Sequence, residues 1–353
     1  MNAGVIEGFF GKPWDWAARL TTIDFLRDSQ YRFYIYAPKA DPFLRRRWRE
    51  PMPDETFRRL SGLRSRGTAN GISIGVGLTP FEIYLNYDFA ARAALRAKVE
   101  QINATGIHVL CVLFDDMRGD VVDLPSLQAG IVADITAWSN ARQFIVCPTY
   151  YSYDSLLTKE FGSAPKRYLR DLGRQIDPRI DIFWTGEKVI SDGYSAGHLS
   201  EVASELRRKP FIWHNAISND SKLRTNRLYV DPSASAWELP LDLVAGLAIN
   251  PMNQAYLTRI ALCRLRQLLA KESTSTAPSM MSDCCRKLFD PVFAAQLQED
   301  TRLMQDIGLK EMDAGTRRRL VVRYEALGSN PYAREITAWL RNEYEFDPEC
   351  LTI

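Results

Sequence analysis

Short apolar, β-branched and aromatic runs recur along this chain, and between them apolar positions return every three or four residues. The runs are GVIEGFF (4–10), YRFYIYAP (31–38), ISIGVGLTP (72–80), IHVLCVLFDD (107–116), QFIVCP (143–148), DIFWTG (181–186), PFIWHN (210–215) and GLAINP (246–251). The helix-period segments are 14–29, 54–66, 89–104, 123–140, 164–175 and 198–208. Alternation of this kind predicts parallel strands joined by crossover helices. Eight strands within ~250 residues favour a closed (β/α)8 TIM barrel, an α/β fold. An open doubly wound sheet would require a phosphate-binding glycine loop after an early strand, and GFFGKPW (8–14) contains no GxGxxG.

The barrel is expected to span residues 1–271, closing with a helix over 254–271. The polar, Ser/Thr-rich stretch at 272–283 reads as a linker or mobile loop. Residues 284–353 form a C-terminal all-α helical region, with helical periodicity through 345 and no strand signal.

Composition narrows the function classes. With 46% hydrophobic and 25% charged residues, the 353-residue chain is an ordinary globular protein. Its 45 basic and 43 acidic residues leave a net charge of +2, so nothing draws it to nucleic acid or to a membrane surface. RRRWR (45–49) and RRR (317–319) read first as solvated helix or loop faces, with an anionic-partner site as the lesser alternative. No run approaches the ~20 apolar residues that span a bilayer, and the N-terminus has no signal-peptide pattern, which predicts a cytoplasmic protein. The six cysteines include no CxxC pair, so neither a disulfide framework nor a zinc site is indicated. His108, His198 and His214 are widely spaced, and no metal or cofactor is expected.

In a barrel of this type the chemistry sits where strands run out at the C-terminal face. Those ends are unusually polar and aromatic here. They include Glu7 to Gly11, Lys39, the pair Asp115–Asp116, Tyr150–Tyr151, Trp184–Thr185, Trp213–His214–Asn215, then Asn219–Asp220, and Asn250. Any one of these has an ordinary account as a turn or rim residue. Together they describe a pocket for a hydroxyl-rich ring, with aromatic faces over its C–H side and amides, carboxylates and a lysine on its hydroxyls. A phosphate would call instead for an arginine cluster or a backbone nest.

The adjacent aspartates are the most informative element. Two like charges forced together raise at least one pKa, which keeps a carboxylic acid protonated near neutral pH. Neighbours on one strand end do not readily flank a glycosidic bond in the usual two-carboxylate manner. They suit a reaction in which a 2-acetamido group supplies the nucleophile. One aspartate then orients the amide while the other protonates the leaving oxygen.

At these blocks the chain resembles glycoside hydrolase family 84, the family of protein O-GlcNAcases and bacterial β-N-acetylglucosaminidases, some of them described as hyaluronidases. The blocks are GVIEGFFGKPW, YIYAPKADPF, FDDM, CPTYY, WTGEKVIS, WHNAISND and INP, in that order across residues 4–255. The resemblance implies a (β/α)8 barrel and a retaining, substrate-assisted mechanism without metal. It implies that Asp115 polarises the acetamido group, that Asp116 is the general acid and later base, and that Tyr151 bonds the acetamido oxygen. It further implies that Gly8, Lys39, Asn215, Asp220 and Asn250 hold the sugar, with Trp213 and Val189 in the pocket wall. The substrate so implied bears N-acetylglucosamine, a glycoprotein or glycopeptide first and a glycan or hyaluronan-type oligosaccharide second. A non-catalytic binder of the same sugar is the alternative outside enzymes. In some relatives a helical domain after the barrel shapes a peptide groove and a homodimer, and the resemblance leaves both roles open here. Four positions depart from the family pattern: Phe10 for a usual Tyr, Ala40 for an acid, Tyr150 for a usual Glu and His214 for a usual Asp.

Overall fold

The computed structural model describes residues 2–231, 239–270 and 287–352. Eight parallel strands close into one barrel in sequence order. They are β1 (Ala3–Glu7), β2 (Phe33–Tyr36), β3 (Ser73–Leu78), β4 (Val109–Leu113), β5 (Gln143–Cys147), β6 (Asp181–Trp184), β7 (Phe211–His214) and β8 (Gly246–Ile249). Closure comes from β1 beside β8, with Ala3 opposite Leu247 and Val5 opposite Ile249. Seven strands lie inside one of the apolar runs and β1 starts one residue before its run, and the strands are largely buried on both faces, as a barrel covered by helices requires.

The crossover helices are α1 (Trp16–Asp28), α2 (Asp54–Ala69), α3 (Phe89–Ala104), α4 (Leu124–Trp138), α5 (Ser155–Phe161), α6 (Tyr168–Gln175) and α7 (Ala196–Leu206), and α8 (Ala255–Ala270) follows β8. Their starts are set by local chemistry. Asp15, Asp88, Asp154 and Ser195 each accept a hydrogen bond from a backbone N–H of the first turn. Among the described residues no helix is long and apolar enough to cross a membrane.

The loop that leaves β1 is fixed by a buried cluster. Arg19 of α1 donates to both Glu7 oxygens, at 2.8 and 2.7 Å, and Tyr34 also donates to this carboxylate. The Trp14 N–H reaches Glu7 from the loop itself at 3.3 Å. A buried ion pair holds its place only when its remaining hydrogen bonds are met, and here they are. Glu7 is thus committed to structure, while the loop after it is held over the mouth of the barrel.

Among the described residues of the C-terminal region lie α9 (Pro291–Arg302), which runs on into a π-helical turn at Leu303–Ile307, α10 (Ala314–Glu325) and α11 (Pro331–Leu340). Glu335 of α11 accepts the N–H groups of Tyr256 and Leu257 at 3.0 and 2.9 Å, which caps α8 from outside. Among the described residues of this region helices predominate through Leu340, and residues 341–352 then run as turns and extended chain back to the barrel mouth.

Two expectations from the sequence are corrected. Arg45 of the basic run is not a solvated arginine but is 3% exposed beside the barrel mouth. Cys263 on α8 is disulfide-bonded, although the cysteine spacing did not indicate a bridge. The expected linker at 272–283 and the pair Cys284–Cys285 lie outside the described residues.

Candidate active site

The site is built from the turn that follows β4. Successive side chains of a strand point to opposite faces, so Asp115 and Asp116 would part if the strand simply continued. Asp116 instead adopts φ 56°, the left-handed region, where Asp is among the better-tolerated residues. That kink brings both carboxyls to the wall of one cavity. The strained conformation costs on the order of 1 kcal/mol or more, and it falls at the cavity wall.

Lys39, after β2, approaches both carboxyls. Its Nζ lies 2.5 Å from Asp115 Oδ2 and 3.5 Å from Asp116 Oδ2. Burial alone would lower the Lys39 pKa, but the two aspartates outweigh it and raise it, so the ammonium is firmly charged. The other Asp115 oxygen, Oδ1, is buried and has no hydrogen-bond partner among the described residues. A buried carboxylate oxygen left unpaired is costly, which marks it as a site awaiting a donor.

Asp116 differs from its neighbour in its surroundings. Its Oδ1 accepts from Tyr151 Oη at 3.0 Å. Burial raises its pKa, and the charge of Asp115 adds to that, against the opposing pull of Lys39. Tyr151 is likewise pushed well up by burial and the nearby aspartates, so it stays a neutral donor.

An amide network lines the same cavity. Asn215 Oδ1 accepts from Trp213 Nε1 at 2.9 Å and from Asn250 Nδ2 at 3.0 Å, while its own amide donates to Val189 O at 2.9 Å. Asn250 Oδ1 accepts the Gly8 N–H at 3.2 Å. A side chain at Gly8 would have no room, because its Cβ would lie 2.4 Å from the Trp213 ring. Asp220 accepts the Phe10 N–H at 2.9 Å and the Ser218 hydroxyl at 2.5 Å, tying the β1 loop to the β7 loop.

The cavity wall therefore brings together Gly8, Asp115, Asp116, Tyr151, Val189, Trp213, Asn215, Asp220 and Asn250 from the sequence reading. Lys39 is the exception, standing against the aspartates without adding to the wall. Sequence reasoning did not assign a site role to Cys147, Thr185, Ile190, Ser218 and Ser221, though the first two were visible as strand ends. It also missed Cys350 and Thr352, which reach the wall from the far end of the chain with no local signal. With these two in place the free cavity is only about 50 Å³, room for a few waters.

The departures from the family pattern have distinct accounts. His214 is buried, bonds Tyr194 Oη at 2.7 Å, and has its pKa lowered by burial to about 3, so it is a neutral packing residue. Tyr150 donates to Gly162 O at 2.7 Å, away from the cavity. Ala40 is exposed. Phe10 lines the cavity with its ring 5.7 Å from Lys39 Nζ and 5.2 Å from the Arg45 guanidinium, so cations meet an aromatic face there. Among the described residues no group of three His, Cys, Asp or Glu side chains is placed to hold a metal ion.

Comparison with known proteins gives a consistent picture. The model of the family described as beta-N-acetylglucosaminidase matches residues 3–304. The Protein O-GlcNAcases of Rattus norvegicus and Mus musculus are each 27% identical over 257 residues. That match covers 70% of this chain but only 28% of either relative's length. Among solved structures, a mutant of Thermobaculum terrenum O-GlcNAc hydrolase superposes with a TM-score of 0.73 at 24% identity, covering 97% of this chain and 75% of that one. This last likeness concerns the fold.

Proposed function

The chain belongs to the beta-N-acetylglucosaminidase family, and from that premise we propose that it hydrolyses terminal β-linked N-acetylglucosamine, with retention, through attack by the substrate's own acetamido group. The observation that carries this reading is the division between two adjacent carboxyls. Asp115 offers an unpaired buried oxygen, and Asp116 is held toward its protonated form.

In the first step the acetamido carbonyl oxygen attacks the anomeric carbon as the bond to the leaving oxygen breaks. Asp115 Oδ1 accepts the amide N–H and balances the positive charge that grows on the amide. Lys39 neutralises the other Asp115 oxygen, so the pair acts as a fixed dipole and not as a free charge. Asp116 gives its proton to the leaving oxygen, and Tyr151 steadies the cyclised acetamido oxygen. In the second step Asp116 takes a proton from water, whose oxygen bonds to the anomeric carbon while the ring of the oxazoline opens. Two displacements restore the β configuration. The amide network of Asn215 and Asn250, with the Trp213 face, holds the sugar in place.

A hexosamine needs far more than the present free space, since small-molecule pockets are commonly about 300–1,000 Å³. Cys350 and Thr352 line this space, so on this reading their segment has to move aside for a sugar to enter. The favoured leaving group is serine or threonine of a protein, supported by the named activity of the mammalian relatives. An aryl N-acetyl-β-glucosaminide assayed with the purified chain tests the reading. Release of the aryl group with the β anomer formed first is expected, and either no release or first formation of the α anomer overturns it. Faster release from a glycopeptide than from chitobiose is expected for the protein substrate.

A further inference from the structure

Beside the sugar cavity, and sharing Asp116 as a wall, lies a second groove of about 540 Å³. If Asp116 protonates the leaving oxygen, a leaving group departs past it into this groove, so the assignment that follows rests on the function proposed above. One end of the groove is basic. Arg45 is buried, with only 4% of its side chain exposed, while Arg46 is half exposed. Phe81 packs under both, its ring 5.1 Å from the Arg45 guanidinium and 3.8 Å from that of Arg46. The groove is also lined by Glu82, Asp120 and Glu160, with Asp120 taken up by Arg118 at 2.5 Å.

The basic end is occupied. Arg45 Nη1 donates to Glu349 Oε2, and Arg46 Nε approaches the same oxygen at 3.3 Å. Among the described residues Glu349 is the one carboxylate that either arginine pairs with, and Arg45 Nε, buried, is left without a partner. Burial would raise the Glu349 carboxyl, yet the two arginines outweigh it and hold it below the usual range. The segment then crosses Asp116. Pro348, Glu349 and Leu351 line the groove, whereas Cys350 and Thr352 line the sugar cavity. A stretch of the protein's own backbone thus spans both compartments as a bound glycoconjugate would, with a carboxylate at the basic end.

We infer that Arg45 and Arg46, backed by Phe81, form a carboxylate-binding subsite for the leaving-group side of the substrate, and that Glu349 fills it as an internal ligand. The substrates so selected carry an acidic group, such as an Asp or Glu side chain, close to the N-acetylglucosamine. A guanidinium pair on an aromatic face suits a planar carboxylate better than it suits an amide of the same shape.

The test uses GlcNAc-serine peptides with Glu or Gln placed at each position within three residues of the sugar. The quantity read is the Glu/Gln ratio of kcat/KM for the best position, which cancels any general loss of fold or activity. In the full chain with Glu349→Gln, which removes the internal competitor, a ratio on the order of tenfold is expected at low salt. It should fall toward one in the Glu349→Gln, Arg46→Gln double variant, and in Glu349→Gln itself at high salt. A ratio near one in Glu349→Gln, with both peptides turned over, overturns the subsite and leaves the function standing. Failure to turn over either peptide or a neutral aryl glycoside overturns the function, and the subsite with it.

Discussion

Replacing Asp116 with asparagine isolates the proton from everything else this side chain does. The amide has the same shape, Tyr151 can still donate to its oxygen from 3.0 Å, and Lys39 keeps its 2.5 Å contact with Asp115. The fold should therefore be nearly untouched, and what disappears is proton transfer to the leaving oxygen. A general acid of this kind is worth ~10²–10⁴-fold, or about 3–5.5 kcal/mol of barrier. That loss is expected in kcat/KM for a methyl or seryl N-acetylglucosaminide, whose leaving oxygen is strongly basic. For a nitrophenyl glycoside, whose leaving oxygen needs little protonation, the loss should stay under about tenfold. The pH profile gives a second reading. Burial, with the Asp115 charge beside it, raises the Asp116 pKa above the usual 3.8. The acid form thus persists above that value, and kcat/KM for the methyl glycoside should fall as pH rises through the raised pKa. The asparagine variant should lack this falling limb. Equal losses on both substrates, or a limb that survives in the variant, would refute the assignment of Asp116 as the acid.

Two other changes probe the frame around it. Gly8→Ala places a methyl 2.4 Å from the Trp213 ring and must displace the indole whose N–H holds Asn215. A stability loss of about 1–3 kcal/mol in urea unfolding and a raised KM are expected, and an unchanged midpoint with unchanged KM would contradict the packing account. His214 is buried with its pKa lowered from 6.5 to about 3. Below pH 6.5 the unfolded chain binds a proton that the folded chain does not, so this group lets stability fall by up to about 1.4 kcal/mol per unit of acidification. His214→Gln should flatten that slope between pH 6.5 and 4.5, and an identical slope in both proteins would show that His214 is not held neutral.

Much of the barrel was legible because parallel strands covered on both faces must be continuous apolar runs, and β1 to β8 each coincide with one to within a residue. The cavity wall was legible for a related reason, since a barrel exposes its strand ends on one face, where Asp115, Tyr151, Asn215 and Asn250 all lie. What remained hidden depends on contacts between distant parts of the chain. Glu7 was grouped with the polar strand ends, but Arg19 and Tyr34 bury it in structure. The left-handed turn at Asp116, which lets neighbouring side chains share a cavity, leaves no mark in the order of residues. Arg45 stands in a run of arginines that looks solvated, and only the fold distinguishes it from its exposed neighbours. Cys350 and Thr352 carry no sugar-binding pattern, and reach the cavity because the chain doubles back after α11.

The central claim is that the nucleophile belongs to the substrate, with Asp115 polarising it and Asp116 serving the leaving oxygen. The most direct measurement is kcat/KM for a series of aryl glucosaminides whose N-acetyl group carries no, one, two or three fluorines. Each fluorine withdraws electron density from the carbonyl oxygen while adding little bulk. The account predicts a steep, monotonic fall of kcat/KM along the series, together spanning several orders of magnitude. A flat series would contradict it, because an enzyme-borne nucleophile would leave the acetamido oxygen a bystander.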